Sequence, residues 1–102
     1  MKATTPAIQV LLVDDDDPFR EVLTEELNRS GFRTTPARHA EEALLEIERR
    51  TLDVAIVDLN LPGMSGEELV RELRDRAPST EVLVLTGNAT VENAVRALKN
   101  GA

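Results

Sequence analysis

The sequence contains no cysteine, tryptophan or tyrosine, and its 102 residues include only two phenylalanines and one histidine. The lack of cysteine excludes disulfides and thiolate metal sites, and a cytoplasmic location is the expectation that goes with it. Positive charge is scarce: 12 Lys+Arg stand against 19 Asp+Glu, a net charge of -7. Phosphate contacts need a basic surface, so direct nucleic-acid binding by this segment is not expected, whereas a cationic or metal-loaded partner suits it. Residues 1–7 hold one lysine and no long apolar region, so neither a signal peptide nor a membrane span is expected. A chain of this size makes one small domain with a single core.

What is present is a set of short apolar runs that end in acids or turns. Val54-Ala55-Ile56-Val57 is closed by Asp58 and then by Pro62-Gly63, the pattern of a strand buried on both faces with a carboxylate at its carboxyl end. Ile8 to Val13 runs in the same way into Asp14-Asp15-Asp16-Asp17. Phe32 to Thr35 is only weakly apolar and suits an edge strand, and Glu81 to Leu85 reads as a fourth strand ending at Thr86-Gly87.

Helical stripes fill the intervals. Phe19, Val22, Leu23 and Leu27 follow Asp17-Pro18, which is expected to cap and open the first helix, and Gly31 is expected to close it in a left-handed conformation. Ala40, Ala43, Leu44 and Ile47 mark a second helix, with His39 near its start as a surface residue without a chemical role. Leu69, Val70, Leu73 and Ala77 mark a third, stopped before Pro78, and Thr90 caps a fourth with Val91, Ala94, Val95 and Leu98 inward. After a short lead-in at residues 1–7, four βα units in succession predict an α/β fold, a doubly wound parallel sheet with strand order 2-1-3-4.

In such a sheet a ligand sits outside the carboxyl ends of the strands, where the strand order reverses. Strands one and three flank that point, so Asp14 or Asp15 and Asp58 are expected within a few ångströms of one another. Carboxylates that close repel unless a cation or protons intervene, and Mg2+, with its preference for oxygen ligands, meets the need. A backbone carbonyl from the turn after Asp58 could complete its shell. A metal beside an exposed aspartate also prepares attack on a phosphoryl group, and the Thr86 hydroxyl on the same rim could bond one phosphoryl oxygen. An EF-hand is excluded, because Phe19 stands where its sharp turn wants glycine.

Taken together, Leu11-Leu12-Val13-Asp14-Asp15-Asp16, Val57-Asp58-Leu59-Asn60-Leu61-Pro62-Gly63-Met64-Ser65-Gly66 and Val84-Leu85-Thr86-Gly87 resemble the receiver domain of two-component response regulators, in collinear order over residues 8–102. The resemblance implies a flavodoxin-like fold and phosphoryl transfer from a sensor histidine kinase to Asp58. It further implies Mg2+ held by Asp14, Asp15, Asp58 and the Asn60 carbonyl, with Thr86 as the switch hydroxyl. Self-catalysed phosphotransfer and dephosphorylation would be its only chemistry. The run from Thr90 to Ala102 is similar to regulators that drive enhancer-dependent transcription.

Receivers continue into a fifth strand carrying an aromatic residue and a lysine, then a fifth helix. These residues hold neither that strand nor that helix, and Lys99 falls within the fourth helix. An apolar edge on the fourth strand is therefore expected, and with it a homodimer or an element-swapped oligomer. Two other functions compete: a Mg2+-dependent phosphohydrolase with Asp14 as nucleophile and Asp16 as acid/base, and a docking module indifferent to phosphorylation.

Overall fold

The structure, a computed structural model, describes residues 7–61, 63–85 and 90–100. In chain order the elements are β1 (Gln9–Val13), α1 (Asp17–Arg29), β2 (Arg33–Ala37), α2 (Ala40–Arg49), β3 (Val54–Asp58), α3 (Gly66–Arg76), β4 (Glu81–Leu85) and α4 (Val91–Lys99). The strands form one parallel sheet ordered β2-β1-β3-β4, the flavodoxin-like arrangement expected from the sequence.

Both faces of the sheet are covered, and side chains that alternate along the two central strands divide the core. Leu11, Val13, Ala55 and Val57 pack with Ala40 and Ala43 of α2 and with Leu69 and Leu73 of α3. Val10, Leu12, Val54 and Ile56 pack on the other face with Leu23 and Leu27 of α1 and Ala94 and Leu98 of α4. A strand apolar on both sides needs two covering layers, which explains the unbroken runs in β1 and β3.

Local signals set most helix ends. Gly31 has φ 100°, the Gly31 N–H donates to the Asn28 carbonyl, and the Phe32 N–H donates to the Leu27 carbonyl at 3.0 Å. The left-handed glycine thus turns the chain directly from α1 into β2. Ser65 and Thr90 cap α3 and α4 through hydroxyls that accept from the Glu68 and Asn93 amides. His39 does more than sit near α2: its Nδ1 accepts from the Glu42 amide at 3.3 Å and caps the helix.

Two boundaries differ from the sequence expectation. The cap of α1 is Asp16 rather than Asp17, because the Asp16 carboxylate accepts from the Phe19 amide at 3.1 Å and leaves Asp17 in the first turn. The second strand runs from Arg33 to Ala37 rather than from Phe32 to Thr35. Pro36 is tolerated because the Arg33 N–H bonds the Ile8 carbonyl and the Ala37 carbonyl accepts from Asp14, so the alternating backbone groups of residues 34 and 36 face away from β1.

The two sheet edges are consequently unlike. On the β2 edge the outward Thr34 N–H is taken by the Asn28 side chain at 3.0 Å, and Pro36 has no N–H to offer. On the β4 edge the Glu81 N–H bonds the Asp53 carbonyl, so Val82 and Val84 turn their backbone groups outward, and Val84 is 41% exposed.

Candidate functional site

The register of the sheet assembles the site. Val13 pairs with Val57 across β1 and β3, so the next residue of each strand, Asp14 and Asp58, emerges at the same end. The Asp14 N–H donates to the Ala37 carbonyl at 3.1 Å, which extends the ladder one residue past β1 and fixes the strand tip. Asp14 is buried at 5% exposure, Asp58 is half-buried and Asp15 is exposed. One carboxylate oxygen from each of the three lies within 4.8 Å of the others.

Two of these side chains are pre-oriented by the turns that follow them. Asp14 Oδ1 accepts from the Asp16 N–H at 2.9 Å, and Asp58 Oδ1 accepts from the Asn60 N–H at 3.0 Å. Each bond occupies one oxygen and leaves the other without a hydrogen bond among the described residues. Among the described residues no salt bridge reaches any of the three carboxylates. The cluster is thus a concentration of negative charge held by neutral donors. Such a set of hard oxygen ligands fits a divalent cation such as Mg2+.

Electrostatics agree. Burial pushes the Asp14 carboxyl above its ordinary value; the Asp16 N–H draws it back, and the charges of Asp58, Asp15 and Asp16 push it up further. For an acid whose folded pKa is raised, the folded state holds the proton to a higher pH than the unfolded chain does. Its contribution to stability is present below the unfolded value of 3.8 and is lost as pH rises through the raised folded value. Asp14→Asn keeps an oxygen to accept from Asp16, so with chelator present it is expected to unfold at higher urea than wild type at neutral pH. The gain should vanish in acid below the usual carboxylate range; an equal gain at every pH would contradict this assignment.

Of the residues singled out from sequence, Asp14, Asp15 and Asp58 converge, and Asn60 adjoins them through its N–H on Asp58. Thr86 lies outside the described residues. Asp16 is committed to capping α1. Two further residues shape the site. Arg20, in the first turn of α1, donates from Nη1 to the Asp14 carbonyl oxygen at 2.7 Å; an arginine where acids are normally preferred is the signal that could have pointed to it. Gly66 opens α3 with its Cα so close to the end of β3 that a Cβ there would meet the Asp58 carbonyl oxygen and lie 2.5 Å from Leu59 Cα. Its signal is a glycine at a helix start where no turn requires it.

An open parallel sheet with a carboxylate cluster at its switch point defines a class of ligand-binding α/β domains. Comparison narrows the class: the family described as "Response regulator receiver domain" matches residues 10–102, and the chain belongs to that family. Response regulator protein FleR of Pseudomonas aeruginosa is 38% identical over 96 residues, which are 94% of this chain and 20% of that protein. The response regulator TrrA of Thermotoga maritima, solved in complex with Mg2+-BeF, superposes with TM-score 0.74 at 34% identity, covering 80% of this chain and 71% of that one. A response regulator from Burkholderia pseudomallei, solved with a phosphorylated aspartic acid, calcium ion and citrate, gives TM-score 0.75 at 36% identity, covering 93% and 56%. The chain spans half or less of the length of curated relatives such as FleR, the P. aeruginosa regulator PhoP and the photosynthetic regulators RegA. No helix among the described residues is long and apolar enough to cross a membrane.

Proposed function

We propose that residues 8–102 form a phosphoacceptor domain that takes a phosphoryl group onto Asp58 from the phosphohistidine of a sensor histidine kinase. The observation that carries this reading is the meeting of the Asp14, Asp15 and Asp58 oxygens at the tips of β1 and β3. Asp14, Asp15, Asp58 and the backbone carbonyl of Asn60 would hold Mg2+. When bound, Mg2+ supplies charge neutralisation for the phosphoryl oxygens. The solved relatives with Mg2+-BeF and with a phosphorylated aspartate support the same use here.

The residues account for the transfer. The Asn60 N–H anchors Asp58 Oδ1, so Oδ2 is the oxygen left to attack. It forms a P–O bond as the P–N bond to the donor imidazole breaks; that nitrogen keeps the bonding electron pair, and the imidazole leaves neutral because its other ring nitrogen carries the proton. The Thr86 hydroxyl, following β4 in sequence, would donate to one phosphoryl oxygen and act as the switch. The chain is then a recipient of one phosphoryl group and not a turnover catalyst. The phosphohydrolase reading is disfavoured by Asp16, whose carboxylate caps α1 and is not free to serve as acid/base. The decisive assay is labelling by a small phosphodonor, expected to need Mg2+, to stop with chelator and to give a base-labile bond.

The unlike sheet edges support a further partner, a second copy of the chain aligned along β4; the net charge of -7 and the lack of cysteine support a cytoplasmic protein that makes no direct contact with nucleic acid. Blocking groups protect β2, whereas among the described residues nothing pairs with the outward backbone groups of Val82 and Val84. Sedimentation is expected to show dimers or larger species at high concentration, weakened at least tenfold by Val84→Lys, which places a charge on that edge. A sharp monomer at every concentration would remove the homodimer.

A further inference from the structure

We infer that Arg20 is a positioning residue for the cation site, locking the peptide between Asp14 and Asp15 so that both carboxylates face the same ion; this rests on the proposed Mg2+ site.

The side chain of Arg20 is only 11% exposed. It folds back along the first turn of α1: Nη1 donates to the Asp14 carbonyl oxygen at 2.7 Å, in a buried environment, and Nη2 meets Asp17 Oδ1 at 2.5 Å. Removing a guanidinium from water costs several kcal/mol unless its donors are well used. Here the exposed Asp17 carboxylate supplies the counter-charge and the Asp14 carbonyl supplies the buried acceptor. A merely structural tie to one carbonyl could have been made by a neutral donor without that cost.

The location explains the choice. The Asp14 carbonyl belongs to the peptide that links the buried carboxylate of the cluster to the exposed one. With Asp14 N–H fixed on Ala37 and Asp14 Oδ1 fixed by the Asp16 N–H, the carbonyl is the remaining group of this residue that could turn. Arg20 holds it and places a positive charge behind the three acids without pairing with any of them. Asp17, one helical turn earlier, keeps the guanidinium from swinging into the cluster to neutralise it. Among the described residues no cationic side chain pairs with the cluster, and its geometry is set, as an ion site requires. Outer-shell partners of metal ligands are worth about 10–100-fold in affinity, and Arg20 acts one bond further back, through the main chain.

The test is calorimetric titration of Mg2+ into the metal-free protein, with 15N spectra of the same samples and urea unfolding followed by circular dichroism. Arg20→Ala is expected to lower Mg2+ affinity roughly tenfold and to shift the Asp15 amide resonance in the absence of any ion, since that amide shares the released peptide. Arg20→Lys, which retains a charged donor, is expected to recover most of the affinity. Leu27→Ala supplies the comparison for a weakened α1: it lowers unfolding resistance but should leave Mg2+ affinity within about twofold. If Arg20→Ala and Arg20→Lys both bind like wild type, or if Leu27→Ala loses as much affinity as Arg20→Ala, the positioning role is overturned while the ion site stands. If wild type itself fails to bind Mg2+, the proposed site falls and the positioning role with it. Should Arg20→Ala not fold, Asp17→Asn decides: it frees the guanidinium without emptying its place, and an unchanged affinity together with an unchanged Asp15 resonance would overturn the inference.

Discussion

Asp58→Asn is expected to reduce labelling by a small phosphodonor to background while leaving the fold intact. The amide is nearly isosteric with the carboxylate, and its oxygen can still accept from the Asn60 N–H that now holds Asp58 Oδ1 at 3.0 Å. What is lost is the nucleophile, because the amide nitrogen's lone pair is delocalised into the carbonyl and no anionic oxygen remains. The substitution also removes one of the charges that push the Asp14 carboxyl upward. Unfolding in chelator should therefore be no easier than for wild type. Asp15→Asn makes the contrast: the proposed acceptor survives and a proposed ligand is lost, so labelling should fall and recover in part at high Mg2+. If Asp58→Asn were labelled as well as wild type, the acceptor would lie elsewhere. Sustained turnover of a phosphate monoester, abolished by Asp14→Asn and spared by Asp58→Asn, would revive the phosphohydrolase.

The parts of this molecule that could be read from the chain are those where a single strand or turn carries its own signal. β1 and β3 are apolar on both faces because both are covered, and the weak hydrophobicity of β2 marks its edge position; with four βα units, those facts favour the order 2-1-3-4 that the sheet adopts. The acids at the tips of β1 and β3 then have to meet. The choice between Asp16 and Asp17 as cap was not legible, since either precedes Pro18 at a tolerable position and only the direction of the chain leaving β1 decides between them. The end of β2 at Ala37 was hidden by Pro36, whose exclusion from ladders does not apply to an outward-facing position on an edge. Arg20 and Gly66 act through the backbone of residues distant from the pattern each belongs to, so their roles appear only once α1 and α3 are placed.

Gly66→Ala carries the largest expected cost to the fold. Within a helix, alanine normally improves on glycine by about 1 kcal/mol. Gly66 should reverse that sign. An added Cβ would lie 2.5 Å from Leu59 Cα and would also meet the Asp58 carbonyl oxygen, and both obstacles are main chain, which cannot rotate aside as a side chain can. Either α3 moves off the sheet, exposing Leu69 and Leu73, which are now fully buried, or the Asp58-Leu59 peptide gives way. Forced overpacking of this kind costs about 1–3 kcal/mol, readable as a lowered urea midpoint. Because the peptide that must yield carries Asp58, Mg2+ affinity should fall with stability. Gly63 provides the comparison: it has φ 75° and open space around a Cβ, so its constraint is conformational alone, and Gly63→Asn, a residue that tolerates the left-handed region, should change neither quantity by much. A Gly66→Ala protein as stable as wild type would show that α3 can retreat freely from the end of β3, and Gly66 would then have no part in placing Asp58.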